Sequence, residues 1–495
     1  MQFPRTLALC LLIAVCAHGQ GTSQELGLAR ALTGAPQGQE QNQNPGQPPT
    51  PPTPPTPPTS PTSSMPSMPQ MDKPMDHPMD HSKMQGMDHT MNMGMNDAGM
   101  YLMNLASGTS VNPESWPMPM IMTTPGMGWT AMFMANGFVV DTQESGPRGG
   151  DKLYSTNSFM GAFQHPLGSK AAFEFDVMLS LEPATITDRR YPELFQTGET
   201  AFGNPLVDAQ HPHNFIMALG LHYVRSLSEH TILDLYFAPV GDPALGPVAY
   251  PHRASAAELP EAPLSHHLQD STHIAYNVVT AGLSYRKFKF EGSGFYGTEP
   301  NENRWSVDPG PINSWSGRVW YFPGKNWAAQ VSTGRIAQPE GRQPGNNQGD
   351  QERTTASLSY SKPLGSSSGP GTSGPGTSSG RAWSSSLIWG RNHDTGSQHD
   401  LNSYLIESVL PIRRRNFVTG RIELVDRDEL SVPGIYRIGE YTIGYTRDVD
   451  LVRHLETGIG ANFTSYSLPD SLRAPYGSRP VGGNIFVRFR LRPRV

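Results

Sequence analysis

The chain has two cysteines in 495 residues, Cys10 and Cys16. Both fall in an N-terminal stretch that reads as a secretory signal. Arg5 is its basic start, Leu7 to Ala17 its apolar core, and Ala17-His18-Gly19 its small-x-small cleavage site. A mature chain starting near residue 20 has no thiol. That excludes a disulfide scaffold, and it excludes the thiolate-held copper of blue-copper or multicopper oxidase sites. Charge is also scarce. Asp, Glu, Lys and Arg make up 16% of residues and the net charge is -6, which leaves no basic footprint for nucleic acid. After the signal, no apolar run approaches the roughly 18 residues of a transmembrane helix. If such a chain spans a membrane, it must do so as a closed β-barrel, because only a barrel satisfies every strand's backbone in lipid.

What the chain has in quantity is glycine (51), proline (47) and, unusually, clustered methionine. The signal (1–19) leads into a Gln/Pro-rich linker (20–64) that reads as disordered. It ends in PPTPPTPPTPPTSPTSS (48–64), a polyproline II spacer that reaches roughly 50 Å at about 3.1 Å per residue. The next segment, 65–128, is rich in Met, Asp and His. Eighteen of the 22 methionines lie between Met65 and Met134. The core of this segment is Met71 to Met95, MDKPMDHPMDHSKMQGMDHTMNMGM. Met71, Met75, Met79, Met84, Met87, Met91, Met93 and Met95 offer soft thioether sulfur for Cu(I) or Ag(I). His77, His81 and His89 add imidazole, and Asp76, Asp80 and Asp88 add carboxylate for the harder ion. Pro74 and Pro78 prevent a helix and hold the run extended. Several weak sites on an extended strand load and unload metal where one rigid cage would keep it. This donor set favours copper, as Cu(I) or Cu(II), with silver and zinc as alternatives. The competing reading is an inert low-complexity spacer.

From residue 129 to 495 the texture is all-β. Sixteen stretches alternate apolar with small or polar residues, separated by turn signals. They lie near 130–141, 155–164, 171–181, 212–226, 231–240, 273–286, 288–297, 314–322, 327–335, 352–362, 381–390, 401–410, 416–425, 436–447, 454–465 and 482–492. Connections alternate short and long, with Pro363 to Gly380 the one exception. An even strand count and one-sided long loops predict an antiparallel outer-membrane β-barrel of about 16 strands, both ends on the short-turn, periplasmic side. In the last strand, Ile485, Val487, Phe489 and Leu491 are expected to face lipid, and Arg488, Arg490 and Arg492 the lumen. Val418, Ile422 and Leu424 alternate with Thr419, Arg421 and Glu423. Tyr441, Ile443 and Tyr445 alternate with Glu440, Thr442 and Thr446. Glu174, Asp176, Glu182, Asp188 and Arg189-Arg190 are expected to line the lumen or tie loops together. Trp305, Trp315, Trp320 and Trp327 read as an interfacial girdle.

A second constellation sits in the long loops. Half of the 16 histidines fall between His211 and His273. His211 and His213 flank a proline, so on extended chain both imidazoles share a face. His266, His267, Asp270 and His273 lie in the next long loop, and the topology brings both loops to one rim. Two readings stay open: a metal site or relay at the extracellular mouth or lumen, with Asp208 or Asp270 as ligand or support, and a set of hydrogen-bonding histidines that order the loops.

A cleaved signal, an M-D-H run and a C-terminal barrel together resemble the copper resistance protein B family of Gram-negative bacteria. The resemblance rests on Met71 to Met95 and on architecture, and the barrel here is longer. It implies a non-enzymatic outer-membrane protein in copper tolerance, binding or export. Its partners would be outer-membrane lipid and periplasmic copper proteins. The alternative is a porin-like channel, or a barrel enzyme using His213 or His273 with Ser271, behind an inert N-terminal spacer. No nucleophile motif or acid/base pair stands out for the enzyme.

Overall fold

A computed structural model of the chain describes residues 95–339, 349–364, 381–413, 415–449, 451 and 455–491. All lie within one compact unit, Asp80–Val495. Met71 to Met93, with Asp76, Asp80, Asp88 and the three tail histidines, lie outside the described residues, as does Arg492.

Nineteen strands are present among the described residues. In chain order they are β1 (Ile121–Gly126), β2 (Trp129–Glu144), β3 (Asp151–Leu167), β4 (Ala171–Leu179), β5 (Tyr191–Ala201), β6 (Asn204–Gln210), β7 (Ile216–Ser228), β8 (Thr231–Gly241), β9 (Ala275–Tyr285) and β10 (Phe288–Tyr296). Then come β11 (Ser314–Gly324), β12 (Trp327–Ile336), β13 (Gln351–Pro363), β14 (Ala382–Asp394), β15 (Asp400–Ile412), β16 (Asn416–Arg427), β17 (Tyr436–Val449), β18 (Leu455–Ser467) and β19 (Val481–Leu491). Sixteen of them, all but β1, β5 and β6, form one antiparallel barrel. It closes where β19 pairs with β2, Val487 opposite Val139. Each of the sixteen alternating stretches in the sequence corresponds to one barrel strand.

Period-two alternation explains the wall. On β17, Ile443 is 62% exposed while Glu440 and Thr446 are buried. Its cross-strand neighbour Phe463 on β18 also faces out. Arg488 and Arg490 of β19 are buried, alternating with half-buried Val487 and Phe489, while Ile485 is exposed. A closed ladder with an apolar outer belt and a charged interior is the signature of a membrane-spanning barrel. Replacing Ile443 by Arg, near mid-strand, is therefore expected to cost about 2–4 kcal/mol of folding free energy in lipid. Urea-induced unfolding from vesicles measures this, and a neutral result would place Ile443 off the lipid face.

The structure corrects several sequence expectations. Trp320 is 1% exposed and donates Nε1–H to Glu291 at 2.9 Å inside the barrel, so it does not belong to the girdle. Trp305, Trp315 and Trp327 are exposed. Glu174 and Asp176 do line the lumen. Arg189 instead ties loops, pairing with Glu302 at 3.0 Å. The long stretch after β4 carries a two-stranded hairpin, β5–β6, which alternation did not signal.

The largest difference concerns the interior. Residues 95–120 form a strap inside the barrel. Asn96 caps the short helix α1 (Asp97–Leu102) and donates Nδ2–H to Gly168 and Ala171 in the β3–β4 turn. Ala98, Leu102 and Leu105 pack on Ala172 and Val224 of the wall. Beyond α1, Lys289 donates to the Thr109 carbonyl at 2.6 Å, and Asn112 donates to the His252 carbonyl at 2.9 Å. The β8–β9 connection, residues 242–274, also turns inward and is buried along most of its length.

Candidate functional site

The inward loop is built to match the wall. Arg318 of β11 donates to the Gly246 carbonyl at 3.1 Å. Arg253 bonds Glu407 of β15 at 2.5 Å and Asp270 of the loop itself at 3.0 Å. Glu258 pairs with Arg488 and, at 3.3 Å, with Arg490, both on β19. Glu261 accepts from Tyr154 on β3 and Asn484 on β19. Glu423 of β16 accepts from the amides of Leu264 and Ser265 at 3.0 and 2.8 Å. Arg353 of β13 donates to the His267 carbonyl at 2.8 Å. The loop thus touches the wall on nearly every side, and its Arg253, Glu258 and Asp270 are ion-paired, which is the condition for burying a charge. At Gly390 of β14 even a methyl group would fall 2.2 Å from the Leu268 carbonyl.

The histidines converge, as their spacing suggested, but as a chain of rings inside the barrel end and not a ring around one point. Centroids stand 5.5 Å apart for His211 and His267, 5.2 Å for His267 and His266, 5.2 Å for His266 and His273, and 5.3 Å for His273 and His213. Each of four Nδ1 atoms faces an oxygen. His211 donates to the Pro212 carbonyl at 3.1 Å and His273 to the Asp270 carbonyl at 2.8 Å. His266 pairs with the Asp270 carboxylate at 2.7 Å, and His213 with Glu182 at 2.9 Å. A carbonyl only accepts, so His211 and His273 carry their proton on Nδ1. That leaves a lone pair on Nε2 in the neutral ring. The Nε2 atoms of His211, His267 and His273 are buried without a hydrogen bond, although His211 Nε2 lies 3.2 Å from Glu199. Tyr250 closes the group, donating its hydroxyl proton to His213 Nε2 at 3.3 Å.

Burial disfavours the charged form of His211, His266, His267 and His273. It holds His211 down at about 3, against a partial offset from the bond to Pro212. It pushes His267 and His273 well below the usual imidazole value, with His266 adding in both cases. Among the described residues, no group of three or more His, Cys, Asp or Glu is placed to hold a metal ion. In this arrangement the rings lock the loop, and their unpaired nitrogens can take protons. Ser271 is engaged by Arg353 Nη1 at 3.0 Å.

Sequence reasoning singled out His211, His213, His266, His267, Asp270 and His273, and the fold brings all six together. It missed Tyr250 and Glu199, and it named Glu182 as a lumen or loop-tying residue without joining it to the histidines; the three lie in separate segments with no shared motif. It also missed Gly198, where a Cβ would strike the His267 ring at 2.8 Å and φ is +124°. Of the methionine run, Met95 is described; it packs in a cluster with Met103, Met120 and Met132.

The class defined here is a membrane-spanning, internally plugged 16-stranded β-barrel. No family model and no curated protein matches the chain. Among solved structures, the barrel is similar to an anion-selective porin from Comamonas acidovorans, at 12% identity over 73% of this chain and 100% of that one, TM-score 0.45. It is also similar to OmpF of Salmonella typhi in complex with daunomycin, at 9% identity over 74% and 100%, TM-score 0.45. OmpT of Vibrio cholerae matches at 8% identity over 74% and 98%, TM-score 0.42. The barrel assignment rests on the strand pairing itself.

Proposed function

We propose that this protein is an outer-membrane channel of porin-like build whose lumen is closed by its own β8–β9 loop and N-terminal strap. One observation carries the reading: the loop is buried along most of its length, and between apolar contacts at Leu245, Val248, Leu264 and Leu268 it holds the wall through charge pairs and hydrogen bonds. The charged groups meet counter-charges in the plugged state and would meet water in a released one, so the loop has two workable arrangements, which is what a gate requires. Sixteen strands enclose a lumen wide enough for an aqueous path once the loop moves.

The test is planar-bilayer conductance of the full-length chain beside a variant in which residues 246–268 are replaced by a short Gly-Ser linker. The expected result is a small, intermittent conductance for the wild type and a several-fold larger, steady one for the variant. A variant as tight as the wild type would remove the channel reading.

A second reading adds copper. The donor chemistry of Met71 to Met95 supports capture of copper at the short-turn rim, where the strap begins beside the β3–β4 turn, with periplasmic copper proteins as the source. Unchanged copper tolerance in a host whose copy lacks residues 65–94 would dismiss it.

A further inference from the structure

The strap changes chemistry as it crosses the lumen. At α1 it docks through alanine and leucine onto Ala172 and Val224. Further on, beside polar contacts at Thr109 and Asn112 and an aliphatic one at Ala106, one stretch meets the wall through methionine. Met103 and Met120 bury against Met132 and Ala162, with Met95, Met118, Met122 and Met134 around them. The wall answers in register. Met134 of β2 stands opposite Met160 of β3, and Met160 opposite Met178 of β4, giving three inward thioethers in one cross-strand row. The remaining inner wall mixes Ser, Thr, Arg, Glu and Asn with aliphatic and aromatic side chains. Simple docking needs apolar volume, which the strap meets elsewhere with aliphatic side chains; the switch to sulfur needs another reason.

The row leads to a nitrogen. His252 Nε2 lies 3.1 Å from Met178 Sδ. Met118, Met134, Met160, Met178 and His252 border one cavity of about 60 Å³. A second, of about 30 Å³, continues toward Met103 and Met120. Burial lowers His252 to about 4, so the ring is neutral; the Met178 thioether only accepts, so Nε2 carries the proton here, and the other tautomer presents its lone pair to the cavity. The first cavity offers thioether sulfur and one imidazole without thiolate or carboxylate; Arg253 and Arg490 also border it, each paired with a carboxylate outside it, and Glu174, Asp176 and His222 border the second cavity. The sulfur-rich set in the first suits a soft monovalent d10 ion; harder divalent ions prefer oxygen or several imidazoles.

We propose that Met134, Met160, Met178 and His252, with Met118 from the strap, form a luminal binding site for a soft monovalent metal ion, Cu(I) or Ag(I). The site is separate from the run at Met71 to Met93. As a way station across the barrel it rests on the channel reading; as a binding site it does not.

The test uses the full-length chain in detergent, with Ag(I) alone as probe. Equilibrium dialysis compares the wild type with a Met134→Leu, Met160→Leu, Met178→Leu variant. Leucine keeps volume and removes sulfur, and the N-terminal run is present in both. The expected result is one equivalent of tightly bound silver fewer in the variant. A site-resolved measurement needs no variant. Peroxide converts methionine to sulfoxide, and a bound ion occupies the sulfur lone pair. Peptide mass spectrometry should show Ag(I) slowing oxidation at least ten-fold at Met134, Met160 and Met178, with little change at Met127, which is 91% exposed. Equal silver stoichiometry or unprotected luminal methionines would overturn the site, whatever the N-terminal run binds. Conductance of the loop-replaced variant is read separately, so a failed channel and a failed metal site are told apart.

Discussion

Replacing Arg253 by Met is expected to turn the closed barrel into a leaky one. Arg253 is buried at the centre of the plug, bonded to Glu407 at 2.5 Å, to Asp270 at 3.0 Å and to the Val248 carbonyl at 3.2 Å. Glu407 also accepts from Ser255 at 2.8 Å and from Arg421 at 3.2 Å, so one carboxylate ties loop to wall through several donors. Removing the guanidinium leaves two buried carboxylates short of a counter-charge. Breaking a buried pair in this way costs about 3–5 kcal/mol. The cost falls on the plugged state, because the sixteen-strand ladder is closed without the loop. Conductance should rise several-fold while the barrel's heat-modified mobility on gels is retained. A Glu407→Gln companion change should recover part of the loss, since it removes one of the two orphaned charges. A variant with wild-type conductance and wild-type melting would show that this network does not hold the loop.

The second large effect is acid opening. His211 is held near 3 and His252 near 4, and burial also lowers His266, His267 and His273. A released loop would return these rings to about 6.5. The released state then binds more protons than the plugged one, so plug stability falls as pH drops through about 6.5 toward 4. Two loop carboxyls, Asp242 and Glu261, and Glu299 of the β10–β11 connection oppose this. Burial raises Asp242 and Glu299 to about 7 and lifts Glu261 as well, so the plugged state holds their protons more tightly. Burial puts Glu423, which holds the Leu264 and Ser265 amides, on the opposing side as well. Five imidazoles against four carboxyls are expected to leave a loss of plug stability on acidification. Conductance and tryptic cleavage at Arg253 should both rise between pH 7.5 and 4.5. Tighter closure at low pH would reverse the assignment and make the carboxyls dominant.

How far the sequence reaches is clearest from particular residues. Alternation with period two is local, so Ile443 against Glu440 and Ile485 against Arg488 were legible in the string, and sixteen such windows became sixteen strands. Trp320 was legible too, since it shares parity with Arg318 and not with Val319; its aromatic character outweighed its position. The β5–β6 hairpin was not, because it is covered on both faces. Phe195, Glu199 and Asp208 also take positive φ, at 66°, 61° and 59°, which breaks any simple period. β1 is short and carries Pro125.

The sequence by itself determined the strand count, the sidedness of the loops and the clustering of histidine and methionine. Tertiary structure alone decided where the β8–β9 loop goes. Its turn inward depends on Glu258 meeting Arg488 and Arg253 meeting Glu407, partners separated by 230 and 154 positions in the chain. No local pattern records such a match, because a buried charge is stable only beside its counter-charge, and only the closed barrel brings the two together. The same holds for Met134, Met160 and Met178. Each is an unremarkable inward residue of its own strand, and strand register alone sets their side chains in a row.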